Sequence, residues 1–236
     1  MCGRYVSPEQ GAIEREWRVG RGNNNPFPRR YNVSPTMSVP ILLRARSGAL
    51  GLESARWGLI PHWWKEAKPP RFGFNARCED IGTKPMWRHP LRHSRCLVPA
   101  EGWYEWRQVE RSDPDTGEAV RARQPYFICR RDARPFCFAG LMSVWYGIDG
   151  GDPLPSCSIL TRPASASVSA VHDRMPVVLP DEAYTAWLDP QQTDAGRACE
   201  IVHECAVAQF DHRLVSAKVN SSDIDEADLI EPATVT

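Results

Sequence analysis

Residues 95–106 read RCLVPAEGWYEW. Apolar and aromatic residues dominate it, which predicts one β-strand over its whole length. Apolar or alternating runs of the same kind predict further strands, each bounded by Gly, Pro or charged residues. Their predicted ranges are 38–46, 52–59, 126–130, 136–144, 156–161 and 176–179.

Helical patterns are fewer and stand apart from the strands. Ser7 is predicted as an N-cap with Pro8 at the first helical position, so that a short helix runs to about Trp17. Further helices are predicted over 86–93, 181–188 and 195–206. Many short strands with a few separate helices predict an α+β fold, with a curved, barrel-like, mainly antiparallel β core and flanking helices.

Length and punctuation bear on the domain organisation. The 236 residues, 42% of them hydrophobic, suffice to bury one core, so we expect a single domain over 1–236. Residues 21–30 (RGNNNPFPRR) are predicted to form a loop. Residues 110–118 (ERSDPDTGE) are predicted to be a surface insert at a hairpin tip, and residues 224–236 a C-terminal tail that wraps the surface or frays.

The sequence carries no sign of export or membrane insertion. No early segment has the apolar stretch of a secretory signal, and no apolar run reaches the length of a membrane span. The eight cysteines lack the spacing of a disulfide framework, and several are predicted to be buried thiols. We therefore expect a cytoplasmic protein without membrane contact, associated with the nucleoid in a bacterium. We also expect a monomer that needs no cofactor and no metal.

Charge is unevenly distributed along the chain. The net charge is zero, but residues 1–100 hold 17 Lys and Arg against 7 Asp and Glu, whereas residues 150–236 hold 5 against 14. This asymmetry could build one basic face, and nearly all the basic residues are arginines, which bind phosphate and stack on flat rings. An arginine bias that reflects only a GC-rich genome remains an equal alternative.

Residues 1–6 read MCGRYV, with a cysteine directly behind the initiator methionine. If Met1 is removed, Cys2 carries a free α-amine beside its thiol. An α-amine has a pKa near 8, against about 10.4 for lysine, so far more of it is nucleophilic at pH 7. Such an aminothiol can trap an aldehyde, because the amine forms an imine and the thiol then closes a five-membered thiazolidine. The thiol could instead attack an amide carbonyl with the amine as base, and position 2 alone leaves both chemistries open.

Two other stretches carry groups that such a site needs. In FGFNARCED, Asn75 offers an amide able to hold a substrate or the terminus, and Arg77 shares its face if the segment is extended. In PAEGWYEW, Glu101 and Glu105 would lie on one strand face beside aromatic rings, which can raise the pKa of a carboxyl by desolvation. The residues alone do not decide between the two glutamates.

A third stretch, VHDRMPVVL over 171–179, places His172 and Arg174 directly before an apolar run. With Asp173 beside it, His172 is a candidate acid–base group. A lone histidine of this kind is more often structural, so the stretch gains weight only together with the others.

These motifs together resemble one known family, the SRAP (SOS response-associated peptidase-like) proteins, over essentially the whole chain. The motifs that carry the resemblance, in chain order, are MCGRY (1–5), RYNVSP (30–35), WGLIPHWW (57–64), FNAR (74–77), GWYEW (102–106), VHDRMPVVL (171–179) and LVSAKVNSSDIDEADLIEP (214–232). The resemblance implies a single-domain α+β fold. It also implies a sensor of abasic sites in single-stranded DNA that forms a thiazolidine DNA–protein crosslink after self-processing removes Met1.

The resemblance also assigns roles in the reaction. Cys2 matches the crosslinking residue, and Asn75 matches the asparagine that positions the terminus and the sugar. Glu105, rather than Glu101, matches the acid–base glutamate that helps to open the sugar ring. His172 matches the histidine that handles protons during imine formation, and a lyase-like strand scission is the side activity that the family implies.

DNA contacts are implied in the same way. Arg77 and Arg174 fall at phosphate-contacting positions, while Pro35 and Trp64 fall where the family wedges and stacks against flanking bases. Arg4 would bring positive charge toward the phosphate backbone, and Trp63 is expected to pack rather than contact DNA. Stacking and backbone charge grip a single strand without regard to sequence.

Three alternatives are open at this stage. A glutamine amidotransferase would also use a terminal cysteine, but it needs a synthetase domain for which we expect no room here. A non-enzymatic nucleic-acid-binding module would bind equally well without Cys2. A zinc site would use Cys199, His203 and Cys205, but no CxxC pair supports it, and a core helix explains their spacing better.

Overall fold

A computed structural model describes residues 2–19, 27–45, 47–71, 73–112 and 118–233, without the side chains of 111 and 112. Within these ranges the chain forms strands β1 Arg4–Ser7, β2 Arg30–Val33, β3 Ser38–Arg44, β4 Leu50–Trp57, β5 Asn75–Arg77, β6 Arg95–Ala100, β7 Gly102–Ser112, β8 Ala119–Cys129, β9 Phe136–Trp145, β10 Leu154–Pro163, β11 Arg174–Pro176, β12 Val178–Leu179 and β13 Asp211–Leu214. The helices are α1 Gln10–Trp17, α2 Pro85–His93, α3 Asp181–Trp187 and α4 Ala195–Glu204, and two short 3₁₀ helices span Ala217–Asn220 and Ala227–Ile230.

Two sheets build the β core. The smaller sheet has the strand order β13-β8-β7-β1-β2, and all its pairings are antiparallel. The larger has the order β11-β10-β4-β3-β6-β9-β12, with β5 beside β10. Because β9 pairs with β10 as well as with β6, this larger sheet closes partly into a barrel. The predicted α+β fold with a barrel-like, mainly antiparallel core is confirmed. In the described ranges, the only parallel pairings are those of β10 with β4 and with β5.

Three clusters of buried side chains hold these layers together. One joins the barrel sheet to the four helices. The second lies between the two sheets and contains Cys2 with Tyr5, Trp57, Trp103 and Phe138, whose rings meet edge to face. The third packs the C-terminal segment against β7 and β8. Cys2 is therefore built into the core between the sheets.

The single strand predicted over 95–106 is wrong. The chain leaves the barrel sheet after β6 and enters the smaller sheet as β7, with Glu101 at the junction. A Cβ on Gly102 would lie 2.3 Å from the ring of Phe127, so the crossing requires glycine. Glu101 and Glu105 consequently do not share a strand face. Glu101 pairs with Arg29 near the surface, whereas Glu105 is buried.

Other boundaries differ because tertiary pairing overrides local signals. Ser7 is the last residue of β1, opposite Arg30, and α1 begins later, with Glu9 at its N-cap position. The run predicted over 176–179 splits into β11 and β12, which pair with β10 and β9 respectively. Strands β1, β2, β5 and β13 were not predicted, since each is too short to show a pattern.

Three further segments, 21–30, 110–118 and 224–236, are described only in part. Strands β7 and β8 form a hairpin that already includes the first residues of 110–118, and the tip at 113–117 lies outside the described residues. Of the predicted loop 21–30, residues 21–26 are likewise not described, and Arg30 belongs to β2. The C-terminal tail wraps the surface as far as 233, anchored by buried Leu229. In the described ranges, every helix is too short or too polar to cross a membrane.

A buried arginine ties the end of α2 to the segment after α3. The guanidinium of Arg95 donates hydrogen bonds of 2.6 to 3.1 Å to the carbonyls of Leu91, Arg92, Trp187, Asp189 and Gln192.

Arg95→Ala leaves these buried acceptors without their donor and should lower the free energy of unfolding by about 3 kcal/mol in urea titration.

Arg92→Ala is the matched control, since Arg92 lies three residues before Arg95, in the last turn of α2, and is exposed. Its expected effect is within about 0.5 kcal/mol. Equal losses in the two variants would show that the Arg95 hydrogen bonds do not stabilise the fold.

Candidate active site around Cys2

Cys2 lies two residues before the start of β1, and its side chain is fully buried. In the antiparallel pairing of β1 with β7, Arg4 is opposite Tyr104, so the register places Gly3 opposite Glu105. The Cys2 thiol is close enough to the Glu105 carboxyl for the two groups to interact electrostatically. Burial, followed by the negative charge of Glu105, raises the pKa of the Cys2 thiol well above its usual value. The thiol therefore stays protonated at neutral pH.

Asn75 fixes the backbone of Cys2. Strand β5 runs parallel to β10, and from this position Nδ2 of Asn75 donates a 2.8 Å hydrogen bond to the carbonyl oxygen of Cys2. The other amide atom, Oδ1, is buried and accepts no hydrogen bond from the described residues. Asn75 thus anchors the N-terminal segment and keeps one acceptor available inside the site. The segment Asn75–Arg77 is extended, which is the condition under which Arg77 is expected to share the face of Asn75.

Glu105 is the buried carboxyl of the site. It lies on β7, and its side chain is only 2% exposed. Burial raises the pKa of Glu105 to about 7, and the nearby charge of Asp173 acts in the same direction. A carboxyl with this pKa can both give and take a proton near neutrality, as general acid–base catalysis requires.

His172 lies before β11, with its Nε2 3.8 Å from Oε2 of Glu105. Its Nδ1 accepts a hydrogen bond of 2.9 Å from the backbone N–H of Arg174 and lies 2.9 Å from Oδ1 of Asp173. Burial lowers the pKa of His172, whereas Asp173 acts to raise it. The neutral ring accepts from Arg174 through Nδ1, which leaves its hydrogen on Nε2, the nitrogen that faces Glu105. Proton exchange between His172 and Glu105 can therefore pass through Nε2.

An open cleft of about 620 Å³ gives access to these groups. This site cleft is lined by Gly3, Phe74, Glu105, Trp106, Gln108, Arg123, Ser169, Val171, His172 and Asp173. Sequence reasoning did not find Gln108 or Arg123. Both lie on the β7–β8 hairpin, where they form a cross-strand pair. Arg123 lies outside the strand predicted over 126–130, because β8 begins earlier, at Ala119.

A second cleft, of about 400 Å³, has Asn75 in its lining. We call it the Trp63 cleft, and it is lined by Trp63, Asn75, Arg77, Asp80, Lys84, Pro85, Met86 and Trp87. Trp63 is 46% exposed there, so the expectation that it packs is wrong. Trp64 is the partly buried member of the pair, and its indole N–H donates to the carbonyl of Lys68 at 2.9 Å.

The other predicted DNA-contacting residues are placed differently from one another. Arg77 is exposed in the Trp63 cleft, and Pro35 is half-buried in the turn after β2. Arg174 forms an ion pair with Glu79 and donates to the carbonyl of Thr161. A phosphate at Arg174 would therefore compete with Glu79.

In the part of the chain that the structure describes, the cysteines and histidines elsewhere do not assemble into a metal centre. Cys199 and His203 lie on α4, and Cys205 follows it. Among the described residues, no group of three His, Cys, Asp or Glu side chains could hold a metal ion.

Comparison with known proteins supplies the family. The model of the SOS response associated peptidase (SRAP) family matches residues 1–222. The chain is 34% identical to the abasic site processing protein YoqW of Bacillus subtilis (strain 168), covering 98% of this chain and 99% of that one. It is 35% identical to the abasic site processing protein YedK of Escherichia coli (strain K12), covering 86% and 84%.

Solved structures share the fold. A protein from Bacteroides thetaiotaomicron aligns with a TM-score of 0.77 at 20% identity, covering 99% of this chain and all of that one. A phage-related protein from Bordetella bronchiseptica aligns with a TM-score of 0.66 at 32% identity, covering 91% and 94%.

The pKa of Glu105 makes stability depend on pH. Because it rises from 4.5 to about 7 on folding, the folded state favours the protonated carboxyl, and this contribution is lost as the pH rises from 4.5 through 7. Between pH 4.5 and pH 8, the unfolding free energy of Glu105→Gln relative to the unsubstituted protein should therefore shift in favour of the variant by about 3 kcal/mol.

Guanidinium titrations at the two pH values measure this shift. Gln108→Ala is the control, since Gln108 lies on the same strand and carries no ionisable group, so that its difference should be the same at both pH values. A Glu105→Gln difference that is the same at both pH values would contradict the raised pKa.

Proposed function

Since this chain belongs to the SOS response associated peptidase (SRAP) family, we propose that it processes abasic sites in single-stranded DNA. The capture is covalent and uses Cys2 as a 1,2-aminothiol. The observation that carries this proposal is that Asn75 holds Cys2 next to Glu105, and that Glu105 and His172 line an open cleft.

The reaction begins with hydrolysis of the Met1–Cys2 peptide bond, since that bond occupies the α-nitrogen. Hydrolysis in the chain's own site or by an aminopeptidase yields the same free amine. The sugar of an abasic site exists as a closed hemiacetal in equilibrium with its C1′ aldehyde, and opening the ring requires a proton to move. Glu105, with a pKa of about 7, is suited to that transfer.

The amine acts before the thiol. Burial keeps the Cys2 thiol protonated, whereas a free α-amine with a pKa near 8 is partly neutral. The amine attacks C1′, and the resulting carbinolamine loses water to give an imine, with Glu105 and His172 carrying protons. The S–H bond then adds across the C=N bond. The sulfur bonds to C1′, its proton passes to the nitrogen, and a thiazolidine results.

The same sequence of steps accounts for the two activities that we assign besides capture. Removal of Met1 is the peptidase step. Lyase-like β-elimination is open to the imine but not to the closed thiazolidine, so ring closure shields the strand from scission. The thiol attack on glutamine that an amidotransferase would need is disfavoured, because it requires a thiolate.

The single strand is held by charge and stacking. We assign Arg77 and Trp63 to one flank of the lesion, where they share a cleft with Asn75. Pro35 and Trp64 are assigned to wedging against neighbouring bases, and Arg4 and Arg174 to phosphate contacts. Aromatic faces and cations of this kind bind any base and any phosphate, which suits a lesion that occurs in every sequence context.

A denaturing gel of protein mixed with single-stranded DNA that contains an abasic site tests the proposal. The processed protein should give a shifted band, whereas Cys2→Ala and a variant that retains residues before Cys2 should give none. Cys205→Ala, which removes an exposed thiol, should crosslink normally. A shifted band in either blocked variant would contradict covalent capture through Cys2. Glutamine hydrolysis by the processed protein, without any DNA adduct, would contradict it as well.

Arg77→Glu tests the assignment of one flank. The substitution should weaken binding and flatten its salt dependence, since each phosphate contact to a single strand releases about 0.7 counterion. Fluorescence anisotropy over a range of salt concentrations measures both effects. Arg88→Glu, an equally exposed arginine on α2, is the control and should bind nearly normally. Equal salt slopes for Arg77→Glu and the unsubstituted protein would remove Arg77 from the DNA-contacting set.

A further inference from the structure

We propose that Arg4 and Arg123 form a second phosphate site, which holds the DNA strand on the flank of the lesion away from Arg77. The inference rests on the proposed function and deepens it, because it gives the bound strand a path through the molecule. It also assigns a role to the β7–β8 hairpin, which none of the sequence motifs covers beyond Trp106.

The position of the two arginines supports this site. A cleft of about 400 Å³, here called the Arg4 cleft, is lined by Gly3, Arg4, Trp106, Arg123 and Asn220. Three of these residues, Gly3, Trp106 and Arg123, also line the site cleft. The two clefts therefore meet at the residue next to Cys2. A DNA strand captured at Cys2 can pass directly from the site cleft into the Arg4 cleft.

The two flanks lie against different sheets. The Arg4 cleft is built on β1, β7 and β8 of the smaller sheet, whereas Arg77 is on β5, which is attached to the barrel sheet. The hydrogen bond from Asn75 to Cys2 joins these two sides. A strand that contacts both arginine groups must therefore cross the reactive residue.

The charge in the Arg4 cleft is uncompensated. Arg4 donates to the side-chain oxygen of Asn32 at 3.3 Å and to the carbonyl of Val219 at 3.1 Å, both neutral acceptors. Neither Arg4 nor Arg123 forms an ion pair with any residue that the structure describes. Other arginines, such as Arg29 with Glu101, do have carboxylate partners. Two cations that face one cleft without a carboxylate match the charge of a phosphodiester.

The hairpin also supplies a matched control. Arg123 is opposite Gln108, which lines the site cleft, whereas Arg121 is opposite Glu110. Arg121 lies two residues farther out on the same strand, so it shares the face of Arg123 at a distance of about 7 Å along the chain. It lines neither cleft. Replacing Arg121 therefore removes the same charge from the same strand without touching the proposed site.

The experiment uses single strands with a tetrahydrofuran abasic analogue, which has no aldehyde and cannot crosslink. One oligonucleotide carries nucleotides only on the 5′ side of the analogue, and the other only on the 3′ side. Binding to Arg123→Ala, Arg121→Ala and Arg77→Ala is followed by anisotropy over a range of salt concentrations. Arg123→Ala should lower the salt slope by about 0.7 for one of the two oligonucleotides, Arg77→Ala should do so for the other, and Arg121→Ala should change neither.

Two results would overturn the inference. One is an Arg123→Ala slope equal to that of Arg121→Ala on both oligonucleotides. The other is a loss from Arg123→Ala and Arg77→Ala on the same oligonucleotide. Failure of the proposed function would look different, because the unsubstituted, processed protein would then form no adduct with aldehyde-bearing DNA whatever the flanks contribute.

Discussion

One hydrogen bond, from Nδ2 of Asn75 to the carbonyl of Cys2, joins the two sheets at the point where the chemistry is proposed. Asn75 belongs to a strand attached to the barrel sheet, and Cys2 leads into a strand of the smaller sheet. Glu105 reaches the same place from β7, and His172 from the turn before β11. The N-terminal segment is thereby a fixed part of the core, and its first residues meet groups that the chain brings from far away in sequence.

Burial is the second constraint, and it acts on both reactive groups in one direction. Desolvation raises the pKa of Glu105 to about 7 and raises that of the Cys2 thiol well above its usual value. The carboxyl thereby becomes useful as a proton carrier near neutrality, while the thiol is kept from acting first. The proposed order, with the amine attacking before the sulfur, follows from this one physical effect, and it separates the account from thiolate chemistry at the same cysteine.

Much of the fold could be predicted from sequence, because apolar runs such as 136–144 and 156–161 locate the long barrel strands within two residues at each end. The site could be predicted only in part. Residue alternation placed Glu101 and Glu105 on one face, since the change of sheet at Gly102 leaves no mark in the hydrophobic pattern. Trp63 was expected to be packed, and Arg123 was not predicted as a site residue. Exposure and cross-strand neighbours depend on long-range pairing that local patterns do not encode.

Mass spectrometry of the N-terminal peptide, after exposure to abasic-site DNA and nuclease digestion, distinguishes a thiazolidine at Cys2 from other adducts. We expect a peptide that begins at Cys2 and carries the sugar remnant with loss of one water. Its Cys2 sulfur should resist alkylation, because in a thiazolidine the sulfur is bonded to C1′ and carries no free S–H group. A remnant on a lysine, or on a Cys2 peptide whose thiol is still alkylated, would contradict the thiazolidine.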